Sequence, residues 1–214
     1  MPIWYMEATS GYIRRVPPLF NGPVVSLSED TDRKPRADSV RNRELLLNTA
    51  KAAFGEVGAD VALEEIARRA GVGIGTLYRH FPTRDALMAA VYRREVDQLS
   101  AAAERLLAEE PPLKALEIWL NLMVDYMATK RVIAPALRAS PGEGERAYAA
   151  GGPAITGSMQ RLTEAAIAAG EMRSEVTQED IFRLMMGVTH GYDQPGWEPS
   201  ARRLIGILVA GLRA

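Results

Sequence analysis

The stretch Ala62–Arg84, ALEEIARRAGVGIGTLYRHFPTR, constrains this chain more than any other. Leu63–Ala70 reads as one short helix and Gly75–Phe81 as a second, with Gly71-Val72-Gly73-Ile74 as the turn between them. Ala67 is small where two helices must cross closely. Gly71 follows at the end of the first helix, where the chain needs a positive φ that glycine adopts without strain. Leu77 then points back onto Ile66, Ala67 and Ala70. A small residue, a glycine turn and an inward apolar residue in this order are the requirements of a helix-turn-helix. Thr76, Tyr78, Arg79 and His80 are left on the outside of the second helix. Between Ile66 and Arg84 there are four arginines, one histidine and no acid. An acid-free basic helix with polar residues near its N-terminus suits the major groove of duplex DNA. A packed helical pair with a basic solvated face would explain Ala67, Gly71 and Leu77, but not an exposed Tyr78 beside Arg79 and His80.

Charge and composition narrow the classes further. The net charge over 214 residues is −1, so any nucleic-acid affinity comes from a local patch and not from the whole molecule. A hydrophobic content of 47% with 25% charged residues is that of an ordinary soluble globular chain. No apolar run approaches the roughly 20 residues of a membrane span, and no secretory signal is evident at the N-terminus. The absence of cysteine excludes disulfides and thiolate metal sites, and fits a reducing cytoplasm. No HExxH, GxSxG or Walker-type motif is present. Gly71-x-Gly73-x-Gly75 follows a helix and not a strand, so it is no dinucleotide loop. There are two histidines. His190, on an apolar helix with Asp193 close behind, reads as a core or pocket histidine before a general base. The expectation is a non-enzyme with no metal and no cofactor.

Residues 1–38 follow neither helical nor strand periodicity and are broken by Pro2, Pro17, Pro18, Pro23 and Pro35, which predicts a disordered extension. Organised sequence starts near Asp38, so translation starting at Val24 or Val25 is one expectation. Arg33, Lys34, Arg36, Arg41 and Arg43 form either a solvated linker or a basic arm for backbone phosphate and the minor groove. A first helix, about Val40–Gly55, is capped by Asp38 or Ser39, and Asp60 is placed to cap the next. Thr83 caps a long fourth helix that ends before Pro111-Pro112. A fifth covers about Leu113–Leu137, bent near its end by Pro135. Ser140–Pro153, with four glycines and two prolines, predicts a loop. A helix over Ala154–Ala169 follows. Thr177 and Asp180 form a capping box for a helix to Tyr192. Asp193–Pro199 reads as a turn before a last helix over Pro199–Leu212. No strand is expected, so the class is all-α.

The run Gly71–Leu87, GVGIGTLYRHFPTRDAL, resembles the signature of TetR-family transcriptional regulators. The similarity reaches back through Arg43-Glu44 and Ala50–Phe54 and covers about Val40–Leu99. It implies an all-α protein in which residues 39–99 form a three-helix DNA-binding domain, with its helix-turn-helix at 62–81. Residues 100–214 would form a helical domain for ligand binding and dimerisation. By the same resemblance Thr76, Tyr78, His80 and Arg84 fall on operator-contacting positions. Tyr78 and His80 offer donors to phosphate, and Arg43 belongs to the same basic surface. Base readout falls to Ile74, Gly75, Thr76 and Arg79, with Arg79 able to pair with guanine or with a phosphate. Ala62 and Gly73 depart from the family, which usually has a hydroxyl residue there, and binding shifts toward backbone amides.

The family also holds a small-molecule pocket among its C-terminal helices. Trp119, Met123, Tyr126, Met127, Met159, Leu162, Met185, Met186 and His190 are the candidates here, and the effector is expected to be apolar or aromatic. The last two helices are expected to pair in a homodimer on a palindromic double-stranded operator. The leading expectation is a ligand-released repressor in the cytoplasm. The alternatives are an activator, or a small-molecule-binding helical dimer without specific DNA recognition.

Overall fold

The computed structural model describes residues 33–139, 141–190 and 196–214, with side chains from residue 38 onward. Most of the expected extension, with Val24 and Val25, lies outside the described residues, as does Asp193. Within them the chain is helical throughout: α1 (Arg33–Val57), α2 (Leu63–Arg69), α3 (Ile74–His80), α4 (Arg84–Glu109), α5 (Pro112–Ala139), α6 (Glu143–Ala168), α7 (Gln178–Val188) and α8 (Trp197–Leu212). The described residues contain no strand, only an isolated bridge between Met172 and Arg213. No helix among them is long and apolar enough to cross a membrane.

The local rules read from Ala62–Arg84 hold in three dimensions. α2 ends at Ala70, and Gly71 takes φ +69°. The Val72 N–H then donates to the Ala67 carbonyl at 3.1 Å and the Gly71 N–H to Arg68 at 3.2 Å, the paired bonds of a Schellman ending. Leu77 and Ile66 are fully buried against Ala67. Thr83 caps α4 by accepting from the Ala86 N–H at 3.0 Å. The N-cap of α2 is Ala62, not Asp60, and neither Ala62 nor Gly73 offers a side-chain cap.

The first helix starts earlier than expected. α1 begins at Arg33, so Asp38 and Ser39 lie inside it and cap nothing. Pro35 sits in its first turn, where no helical N–H bond is lost.

The larger correction is α6. The expected loop over Ser140–Pro153 is helical from Glu143, with Gly144, Gly151, Gly152 and Pro153 inside one helix of 26 residues. Two of the glycines are there for contact and not for breakage. A Cβ on Gly144 would lie 2.3 Å from Asp85 Oδ1, and one on Gly151 would lie 2.5 Å from Tyr92 Oη. Both partners belong to α4. The missing side chains let α6 lie directly on α4, and that burial overrides the poor helix propensity of glycine and Pro153. Ile155, Met159 and Leu162 continue the buried face of α6 across the bundle.

α4, α5 and α6 form the centre of the C-terminal part, and α8 packs on α5. Trp119, Leu116 and Leu120 of α5 are fully buried there. α4 runs unbroken from the helix-turn-helix into this bundle, so one element carries the recognition unit on its first turn and the core on the rest. At the far end α7 stops at Val188, short of Tyr192. α8 takes in Trp197-Glu198-Pro199 of the expected turn.

Candidate functional site

α3 presents two faces. Leu77 points into the core. On the other side Ile74 and Tyr78, one helical turn apart, are 37% and 44% exposed, and Gly75 and Arg79 are exposed beside them. Thr76 and His80 flank this surface half-buried. Nothing lies within 4 Å of where a Gly75 side chain would sit, so the backbone is open to a close approach.

The surrounding charges are sorted by pairing. Arg68 and Arg69, two of the four arginines of the acid-free stretch, both bind Glu65, at 2.7 Å each, and Arg69 also binds Glu56 at 2.6 Å. Hydrogen bonds from the two guanidinium groups hold the Glu65 carboxyl down at about 2. The Arg69–Glu56 pair links α2 to α1, and Glu65 offsets part of the charge of the two arginines, of which Arg68 stays 72% exposed. Arg84 donates to the Ala59 carbonyl at 2.7 Å and ties the start of α4 to the α1–α2 connection. Arg43 stands over the Phe81 ring at 5.1 Å, next to His80. Among the described residues Arg79 takes part in no ion pair. It is the α3 cation left to meet a ligand.

A second feature lies in the C-terminal part. A cavity of about 130 Å³ opens between α5, α6 and α7. Met123, Tyr126, Met127, Met159, Met185 and Met186 line it, as do Lys130, Gly152, Ile155, Thr156, Phe182 and Thr189. Three residues expected there lie elsewhere. Trp119 and Leu162 are fully buried in the core, where Trp119 Nε1 donates to the Leu99 carbonyl at 2.8 Å. His190 is exposed just beyond α7. The lining missed in sequence comes largely from α6. Gly152, Ile155 and Thr156 follow helical spacing toward the expected Met159, but the glycine-rich stretch up to Pro153 concealed the start of the helix.

Behind the cavity is a tyrosine cluster. The Tyr92 and Tyr126 hydroxyls are 2.9 Å apart, and the Tyr92 ring stacks on Tyr148 at 5.7 Å. Burial pushes both phenols of the bonded pair above the usual tyrosine value. The cluster joins α4, α5 and α6 at the level of Gly151. α6 thus lines the cavity with one part and clasps α4 with another, where the Gly144 N–H donates to Asp85 Oδ2 at 3.2 Å.

α7 and α8 also carry an uncovered apolar surface. Leu184, Leu204 and Ile207 are 44%, 42% and 70% exposed.

Residues 46–91 match the family described as bacterial regulatory proteins, tetR family. Residues 111–214 match the family described as transcriptional regulator SbtR-like, C-terminal domain. Among solved structures, the TetR transcriptional regulator SCO0520 from Streptomyces coelicolor is 42% identical with a TM-score of 0.72, over 80% of this chain and 98% of that one. A TetR transcription regulatory protein from Mycobacterium vanbaalenii is 34% identical with a TM-score of 0.70, over 84% and 99%. The HTH-type transcriptional regulator SAR0097 of Staphylococcus aureus (strain MRSA252) is 38% identical over 84 residues, 38% of this chain and 44% of the relative. The chain therefore spans less than half the length of that curated relative.

Proposed function

The chain belongs to the TetR family of transcriptional regulators, and on that premise we propose that it is a homodimeric repressor. In this reading it occupies a palindromic operator in the cytoplasm and leaves it when a small apolar or aromatic ligand enters the α5–α6–α7 cavity. The observation that carries the reading is the outward face of α3, where Ile74, Gly75, Tyr78 and unpaired Arg79 project from a helix-turn-helix whose inner side is buried through Leu77. Arg79 makes the bidentate contact to guanine, and Ile74 and Thr76 meet thymine methyl groups across an open Gly75. Tyr78 and His80 bind phosphate, and Arg43 and Arg84 supply charge to the same backbone.

One short helix reads only a few base pairs, so specificity requires two copies. The uncovered Leu184, Leu204 and Ile207 on α7 and α8 support a two-fold interface there. Release is supported by α6. A ligand that favours a displaced α6 shifts its contacts with Asp85 and Tyr92, and thereby the angle of α4 beneath the recognition unit.

Transcript profiling of the host with and without the gene tests the sign of regulation. A repressor requires that the transcripts rising on deletion share one inverted repeat in their promoters. Transcripts that fall together would make the protein an activator.

A further inference from the structure

The cavity has one charged wall residue, Lys130. Its ammonium lies 5.6 Å from the Tyr126 ring centre and 5.2 Å from that of Tyr148. No carboxylate pairs with it among the described residues. Two acids nearby in the bundle are already engaged: Asp125, on α5 itself, with Arg202 at 2.5 Å, and Glu143, at the start of α6, with Arg93. The other polar groups in the wall are satisfied internally. Thr156 donates to the Gly152 carbonyl and Thr189 to the Met185 carbonyl, each at 2.8 Å. The Tyr126 hydroxyl is bonded to that of Tyr92. Lys130 is therefore the wall group with donors to spare, half-buried beside methionines and Phe182. A cation in such a place is stabilised by an anion that shares the apolar surroundings.

The volume limits what that anion carries. A cavity of about 130 Å³ is close to the ~150 Å³ that holds benzene in a dry protein cavity. We propose that the α5–α6–α7 cavity takes a small organic acid, with its carboxylate on Lys130 Nζ and a single ring or short branched chain against the methionines and Phe182. The proposal rests on the effector reading only in placing the ligand in this cavity. It adds the charge and size of the ligand, which apolar lining alone leaves open.

The test uses three probes of one shape and different charge: benzoate, benzamide and benzamidinium. Each is titrated calorimetrically into the full-length protein, into Lys130→Met and into Lys130→Arg. The wild type should bind benzoate at least about tenfold more tightly than benzamide, and benzamidinium most weakly. Lys130→Arg should keep the preference. Lys130→Met should abolish it while leaving benzamide affinity unchanged, which also shows that the cavity is intact. Equal affinity for benzoate and benzamide in the wild type overturns the proposal. So does a benzoate preference that survives Lys130→Met, or the absence of heat from all three probes. Operator affinity, measured separately with benzoate present, addresses the effector reading. Benzoate that binds through Lys130 without altering operator affinity removes the effector role and leaves the ligand class standing.

Discussion

The contact of α6 on α4 makes a quantitative prediction at adjacent residues. In Gly151→Ala the new methyl carbon would lie 2.5 Å from Tyr92 Oη, 2.8 Å from its Cε1 and 3.0 Å from its Cζ. Tyr92 is not a flexible chain end that swings aside. Its hydroxyl is bonded to Tyr126, its ring is stacked on Tyr148, and it is 1% exposed. Overpacking of this kind costs about 1–3 kcal/mol. The gain in helix propensity from glycine to alanine offsets about 0.5–1 kcal/mol of it. The expected net loss is about 1–2 kcal/mol. Gly152 is the control, on the same helix and one residue on, with nothing within 4 Å of its would-be Cβ. Gly152→Ala should therefore range from neutral to a gain of about 1 kcal/mol, the propensity gain being reduced by the Pro153 ring that follows. The two variants should differ by roughly 2 kcal/mol, or about 4–8 °C in Tm for a chain of this length. Urea melts and thermal melts at one fixed protein concentration measure this. Equal stability of the two variants, or a more stable Gly151→Ala, would refute the close helix contact and with it the account of why this glycine-rich stretch is helical.

Three further outcomes follow from the same geometry. Glu95 is 6% exposed, binds Lys51 at 2.5 Å and has its second carboxylate oxygen unbonded. Lys51→Met should thus destabilise by about 1–3 kcal/mol in urea melts, less than a fully buried pair because the lysine reaches water. The double variant Lys51→Met/Glu95→Leu should recover most of that loss. Tyr78→Ala should weaken binding by a similar factor on every duplex tested, whereas Arg79→Ala should relax the preference at particular base pairs by about 1–3 kcal/mol. A panel of single-base operator variants at one stated salt separates the two patterns. Ile207→Glu places a charge on the uncovered α8 face and should turn the proposed dimer into a folded monomer by sedimentation velocity, with unchanged helicity. A variant that stays dimeric moves the interface elsewhere.

The readable parts of this chain are those whose determinants are close in sequence. Ala67, Gly71 and Leu77 specify the helix-turn-helix because the turn, the crossing and the buried contact all fall within a few residues. The caps at Thr83 and at Thr177 with Asp180 were legible for the same reason: each side chain bonds a backbone group three residues away. α6 was not legible. Gly144 and Gly151 look like breakers until Asp85 and Tyr92 are placed opposite them, and those partners come from a distant helix. The cavity suffered from the same gap. Methionines at helical spacing marked α5 and α7 as apolar, but spacing does not say which stripe faces a void and which a neighbour. Trp119 and Leu162 face neighbours, and Lys130, which faces the void, carries no apolar signal. The pairing of Glu65 with Arg68 and Arg69, three and four residues on, was legible at helical spacing, whereas Glu56, thirteen residues before Arg69 and on another helix, was not.

The proposed function requires α3 to read a defined DNA sequence in two copies. Selection of bound duplexes from a random pool, with the purified protein at stated near-physiological salt, tests it most directly. The expected outcome is one enriched inverted repeat, with half-sites about one helical turn or a multiple apart. A pool that shows no enrichment, and only weak binding that vanishes as salt rises, would contradict it.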